Sequence, residues 1–205
     1  RVGLSNLMCR VSGPAKVRGG PANLASRAAR LGLEELGVGA RVAIHLRKHV
    51  PAGAGLGGGS SDAAAVLRVL PRLLGRRVRR DRLHAIAAGL GADVPFFLDC
   101  RPAWARGIGE ILRPLPSFPR LDLVVAVPRR RVDTAWAYAN ALPPLAELTT
   151  RKRGRSRAAG LRASAKSLSS RVSNDFEHGV AVAVPDVLRL KRRLVALGAR
   201  AAVMS

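Results

Sequence analysis

The hydrophobic positions change period several times along the chain. Ala25, Ala28, Ala29 and Leu33 recur at helical spacing, with Leu36 a turn further on, and Gly37 and Gly39 end the run. Val42, Ile44 and Leu46 then alternate with Ala43, His45 and Arg47, the pattern of a half-buried strand. An Ala/Leu-rich stretch predicts a helix from Ser61 to about Leu74, with Pro71 removing a donor inside it and kinking or shortening it. Asp81 is placed to cap a second helix through Leu83, Ile86, Ala87 and Leu90, closed by Gly91. A turn at Asp93 leads into the apolar Val94 to Leu98, and Ala103 to Leu112, with Gly107 and Gly109 near its centre, reads as a hairpin or bulged strand pair. Leu121 to Val127 is a near-continuous apolar run, expected to be a buried strand. Asp133 is expected to cap a short helix through Trp136 and Tyr138. Pro185 opens a last helix with Val187, Leu190, Leu194 and Leu197 on one face, ended by Gly198, and Ala199 to Met204 is expected to enter a strand. Residues 1–22 are too weakly patterned to assign, and the Arg/Ser-rich residues 149–172 read as a solvated insertion. The mixture is α+β or α/β, and Pro114, Pro116 and Pro119 mark a junction that divides the chain into 1–118 and 119–205.

Between the predicted strand at Val42–Leu46 and the helix that follows lies the most informative stretch, Pro51-Ala52-Gly53-Ala54-Gly55-Leu56-Gly57-Gly58-Gly59-Ser60-Ser61-Asp62. Five glycines in seven residues leave few side chains in the way of an anion, and a helix start behind them adds a favourable dipole. The Walker A pattern fails, because Gly59 is followed by Ser60-Ser61 rather than Lys-Ser or Lys-Thr. Gly53-x-Gly55-x-x-Gly58 spells the dinucleotide fingerprint, but Leu73 to Arg80 carries only Arg as a charged type where an acid is required. The protein-kinase glycine loop joins two strands, whereas this one leads into a helix. What remains is a glycine loop ending in two hydroxyls and a carboxylate, in which Ser60 or Ser61 can cap the helix and face a phosphate. Lys48 precedes the loop by three residues, within reach of a nucleotide. Asp93, after a helix-ending glycine and before Val-Pro-Phe-Phe, suits either a general base at the edge of apolar surface or a residue that stabilises the turn before Pro95.

Composition adjusts this picture in two ways. The net charge is +23, from 31 arginines and 5 lysines against 13 acids. A surplus of this size suggests phosphate or nucleic-acid partners, yet the arginines run along most of the chain without interleaved aromatics, which favours codon bias over base stacking. Cys9 and Cys100 have neither metal nor disulfide spacing, as expected in a reducing cytoplasm, and His45, His49, His84 and His178 show no metal spacing. No run of eighteen apolar residues suggests a membrane span, and nothing in the pattern sets an oligomeric state.

The stretch Pro51 to Ala63 resembles the signature Pro-x-x-x-Gly-Leu-Gly-Ser-Ser-Ala of the GHMP kinases. Further segments agree in order: Asn23-Leu24 with Arg27-Ala28-Ala29, Lys48-x-x-Pro51, Gly91-Ala92-Asp93-Val94-Pro95-Phe96-Phe97, Gly107-x-Gly109-Glu110 and Ser173-Asn174-Asp175. The triple glycine with Ser-Ser-Asp is most similar to the branch that phosphorylates a small cytidine-diphosphate substrate in non-mevalonate isoprenoid synthesis. The resemblance implies an N-lobe related to the second domain of ribosomal protein S5 and a ferredoxin-like C-lobe. It implies ATP as donor, with Mg2+ expected from the chemistry and its ligands unassigned. Pro51 to Ser61 would hold ATP phosphates, Asn23, Leu24 and Lys48 would lie near the adenine, Asp93 would be the catalytic base, and Tyr138 would stack on the cytosine.

Two family segments have no counterpart here. An Ala-Lys-x-Asn motif with a following Gly-Tyr-His is not found before Asn23, and Pro14-Ala15-Lys16-Val17 lies too close to Asn23 to replace it. A Ser-Gly-Ser-Gly loop is not found after Met204-Ser205. The chain is therefore expected to be a fragment of the fold, incomplete at both ends. The alternatives are another GHMP small-molecule kinase, or an inactive Arg-rich fragment that binds nucleic acid non-specifically, which steep salt dependence without ATP affinity would distinguish.

Overall fold

A computed structural model gives the fold and describes residues 7–15, 17–116, 118–128, 132, 134–140 and 172–205. The chain divides into two compact units, one formed by Arg1–Ala52 and Leu56–Leu115, the other by Gly53–Gly55 and Pro116–Ser205.

The first unit begins with a β-α-β crossover. Strand β1 (Leu7–Ser12) runs parallel to β2 (Val42–Arg47), in register from Leu7 opposite Val42 to Ser12 opposite Arg47. Helix α1 (Leu24–Leu36) connects them, as parallel pairing requires. Asn23 caps α1, its side chain accepting from the Ala25 N–H, and Gly37 ends it at φ 62°. The sheet's inner residues Leu7, Val42 and Ile44 pack on Ala29, Leu33 and Leu70.

Helix α2 (Gly58–Leu73) lies against α1 through small side chains. Ala28, Ala63, Ala64 and Leu67 are fully buried, and a Cβ on Gly32 would come within 3.1 Å of Leu70 Cδ2. Helix α3 (Arg80–Leu90) and the short α4 (Val94–Asp99) complete this core with Ala87, Leu90 and Val94. Arg82 of α3 grips Glu35 of α1 with two parallel hydrogen bonds at 3.0 and 2.8 Å. Asp99 at the end of α4 accepts from Arg80 at 2.7 Å and meets His84 Nε2 at 3.3 Å. A hairpin of β3 (Ala103–Arg106) and β4 (Ile111–Pro114) closes the unit.

In the second unit the described elements are α5 (Thr134–Ala139), α6 (Glu177–Ala183) and α7 (Asp186–Ala196). Glu177 pairs with Lys191 of α7 and accepts the Met204 N–H at 3.0 Å, while Asn174 Nδ2 donates to the Met204 carbonyl at 3.0 Å. Among the described residues two small sheets, one parallel and one antiparallel, with helices packed on the parallel one, make the fold α+β.

Several expectations change. Leu121–Val127 is not a buried strand: it joins no ladder, and Leu123 and Val124 are each 79% exposed, because no described strand pairs with it. Ala199–Met204 likewise forms no strand and is held by side chains of Asn174 and Glu177. Helix α2 starts three residues earlier than Ser61, so Ser60 and Ser61 sit in its first turn while Gly57, at φ 62°, takes the cap position. Pro71 falls in its last turn, where it withdraws the donor that the Leu67 carbonyl would otherwise meet, and the helix ends two residues later at Leu73. Asp81 is inside α3, paired with Arg79 at 2.9 Å, and Arg79 holds the cap position. Strand β1 and helix α6 arise where the pattern gave no element. Asp133 and residues 149–171 lie outside the described residues.

Leu67→Ala should lower unfolding free energy by about 2–5 kcal/mol, read from urea midpoints, because a fully buried side chain leaves a cavity between α1 and α2. Acid should act through Asp99. Burial raises its pKa, but the hydrogen bond from Arg80 and the His84 contact outweigh burial and hold it below the ordinary carboxylate value. A lowered folded-state pKa gives stability that is present above the unfolded value of about 3.9 and lost as pH falls through the folded one. The stability gap between the parent chain and Asp99→Asn should therefore narrow as urea titrations move below about pH 4.

Candidate active site

Three glycines of the loop, Gly53, Gly55 and Gly57, adopt φ of 67°, 70° and 62°. L-residues avoid that region, so these turns need glycine. Gly53 and Gly55 belong to the second unit, where the Ser205 hydroxyl donates to the Gly55 carbonyl at 3.2 Å. Pro51, Ala52, Ala54 and Leu56 are half-buried spacers between the turns.

From Gly57 onward the loop is part of the first unit and its surroundings are tight. A Cβ on Gly57 would sit 2.6 Å from the ring carbons of Phe97, one on Gly58 3.3 Å from Lys48 Nζ, and one on Gly59 3.4 Å from Leu24 Cδ1. Leu24 is the first residue of α1, so the N-termini of α1 and α2 adjoin here, and neither has an acid in its first turn. Free backbone N–H groups and two positive helix ends make this a place for negative charge. The two serines differ. The Ser61 hydroxyl donates to the Gly58 carbonyl at 3.0 Å, whereas Ser60 makes no hydrogen bond among the described residues and keeps its hydroxyl available.

Lys48 is buried and its ammonium is engaged, donating to Asp62 Oδ2 at 2.6 Å and to the Gly58 carbonyl at 3.1 Å. Asn23 is engaged too, since its amide caps α1 and donates to the Arg18 carbonyl at 2.9 Å. Leu24 packs on the main core as well as beside Gly59.

Asp93 stands at the N-terminal end of α4, exposed, and makes no hydrogen bond or ion pair among the described residues. Phe97 lies four residues on, one turn and about 6 Å along the same helix face. The ring that meets Gly57 thus rides on the helix that carries Asp93. The β3–β4 turn lies beside it, with a Cβ on Gly109 reaching within 3.9 Å of Asp93 Oδ1. That turn is fixed by Glu110, which accepts the Ile108 N–H at 2.8 Å and leaves no room for a side chain at Gly107.

The first unit therefore brings together Leu24, Lys48, Gly57, Gly58, Gly59, Ser60, Ser61 and, through Phe97, Asp93. Tyr138 belongs to α5 of the second unit, and its side chain lies outside the described residues. The residues that pattern reading passed over are Asp62, Phe97 and Gly109. Each stood inside a quoted motif, but its partner is distant in sequence. Among the described residues there is no group of three His, Cys, Asp or Glu side chains that could hold a metal alone. No helix among them is long and apolar enough to cross a membrane.

Comparison with known proteins fits this geometry. The profile of the GHMP kinases N terminal domain matches residues 23–100, the span from the α1 cap past Asp93. A 4-diphosphocytidyl-2-C-methyl-D-erythritol kinase of Solidesulfovibrio magneticus is 44% identical over 192 residues, which is 89% of this chain and 63% of the relative. One of Chlorobium phaeobacteroides is 41% identical over 177 residues, 86% of this chain and 62% of the relative. The chain thus spans less than two thirds of the length of these curated relatives. A crystal structure of a 4-(cytidine 5'-diphospho)-2C-methyl-D-erythritol kinase superposes with a TM-score of 0.66 at 35% identity, covering 96% of this chain and 69% of that one. Sequence, fold and the glycine loop at the start of α2 agree, and the chain belongs to the GHMP kinase family.

Proposed function

We propose that this chain carries the nucleotide-binding and catalytic centre of an ATP-dependent kinase that phosphorylates the 2-hydroxyl of 4-diphosphocytidyl-2-C-methyl-D-erythritol, in the non-mevalonate isoprenoid pathway. The observation that carries this reading is the left-handed Gly57 at the start of α2, packed on Phe97 one helical turn from the unpaired carboxylate of Asp93. Phosphoryl transfer asks for a phosphate cradle and a group beside the attacking hydroxyl, and these two features answer it.

In this reading residues 1–118 bind ATP and 119–205 contribute the substrate side, with Tyr138 stacking on the cytosine. Pro51 to Ser61 wrap the phosphates, Asn23 and Leu24 border the adenine, and Asp93 accepts or orients the hydroxyl proton. Magnesium would be held mainly by the nucleotide's phosphates, where it would neutralise their charge. It needs few protein ligands when phosphates supply the rest, and the unengaged Ser60 hydroxyl is a hard oxygen donor that fits it. Arg79, Arg80 and Arg82 pair at the surface with Asp81, Asp99 and Glu35, and the arginines run along the chain without interleaved aromatics, which supports a small-molecule partner over nucleic acid. Cys9 and Cys100 are both free thiols, which suits a cytoplasmic setting.

The test is ATP-dependent phosphorylation of the cytidyl substrate, measured on this chain and on one extended at both ends. Asp93→Asn should cut turnover by roughly 100-fold or more with ATP affinity nearly unchanged. Near-normal turnover would remove Asp93 from the chemistry. Ser60→Ala should weaken ATP binding by about tenfold, the loss of one hydrogen bond to a charged group, and Ser61→Ala should weaken it less. Equal effects, by calorimetry, would contradict the different engagement of the two hydroxyls.

A further inference from the structure

Lys48 is tied down along its whole length. Its N–H donates to the Ser12 carbonyl at 2.8 Å and its carbonyl accepts from Ala15 N–H at 3.3 Å. Gly13, at φ 103°, passes so close that a Cβ there would lie 2.4 Å from the Lys48 carbonyl oxygen. The side chain then crosses to the start of α2, where the ammonium holds Asp62 and the Gly58 carbonyl. Lys48 keeps only 7% of its side-chain surface exposed and Asp62 25%, so the pair is largely withdrawn from solvent. A charge in that position demands its partner, and removing one member leaves the other stranded.

The location gives the pair its purpose. Gly58 is the first residue of α2 and Asp62 stands one turn further along it, with the Lys48 ammonium bonded to both. An unpaired carboxylate there would repel an incoming anion, and an unanchored Gly58 would let the loop's N–H groups lose their common aim.

We propose that Lys48 and Asp62 are a positioning pair for the glycine loop: the ion pair pins the start of α2 to the end of β2 and cancels the Asp62 carboxylate beside the phosphate cradle. The inference rests on the reading of the loop as an ATP cradle and assigns Lys48 an action through the loop, with no contact to the nucleotide required.

A double-variant cycle on the full chain tests this, using Lys48→Met, Asp62→Asn and the combined Lys48→Met/Asp62→Asn, with melting temperature and ATP affinity at 15 °C as readouts. Each single change should lower the melting temperature by roughly 5–10 °C. Each should also weaken ATP binding by the folded protein on the order of tenfold, the ordinary cost of losing a charged hydrogen bond. The combined change should recover at least half of both losses, since no stranded charge remains. If Lys48→Met fails to fold, the milder Asp62→Asn and the combined variant still decide the question. Recovery of melting temperature with ATP binding as weak as in Lys48→Met would overturn the proposal in favour of a direct lysine–nucleotide contact. Lower melting temperatures with unchanged ATP affinity would reduce the pair to a structural role. A parent chain that binds no ATP would instead overturn the cradle reading, while the melting temperatures would still decide whether the pair pins the fold.

Discussion

The close approach of α1 and α2 is the constraint on which the rest of the first unit depends. Ala28, Ala29 and Gly32 on one helix leave room for Ala63, Ala64, Leu67 and Leu70 on the other. Larger residues at these places would hold the axes apart. Because the helices meet near their N-terminal ends, Leu24 reaches Gly59, and two positive helix ends converge where the glycine loop turns. The site's electrostatic character is thus a product of core packing before any charged side chain is counted.

Charged side chains then refine it. The buried lysine at the end of β2 is surrounded by backbone on one side and by the start of α2 on the other. It joins the crossover sheet to the anion-facing turn at the start of α2, the opposite end of the helix from the Leu70 contact with the sheet. Asp99 plays a comparable part further along, tying α4 to Arg80 and His84 of α3 so that the helix bearing Asp93 keeps its place. In both cases a polar contact adds to apolar anchors in setting the position of an element.

How much of this was legible in the chain follows from the range of the interactions. Helix α1, with its Asn23 cap and Gly37 stop, is written in neighbouring residues, and so is the β3–β4 hairpin with its glycines. Strands are different, because their ladder partner lies elsewhere. Leu121–Val127 has the stronger strand pattern yet forms no ladder, while the weakly patterned Leu7–Ser12 becomes β1 because Val42–Arg47 runs beside it. Helix α6 was obscured by its Gly179 and valines, which read locally as strand or turn. Within the site, the glycine loop, Lys48 and Asp93 stood out from residue type and spacing. The assignment of the cap to a serine failed because a left-handed glycine did that work, and the roles of Asp62 and Phe97 depend on partners at sequence distances that no local pattern encodes.

The contact between Gly57 and the Phe97 ring bears on how such a loop is inherited. By sequence the glycine-rich segment is a short cassette, portable to any strand-to-helix junction. Here it is a lock cut for one key, since its tightest turn is moulded on an aromatic forty residues downstream on another helix. Exchanging the cassette between relatives keeps its geometry only where that ring, and the helix that presents it, travel with it.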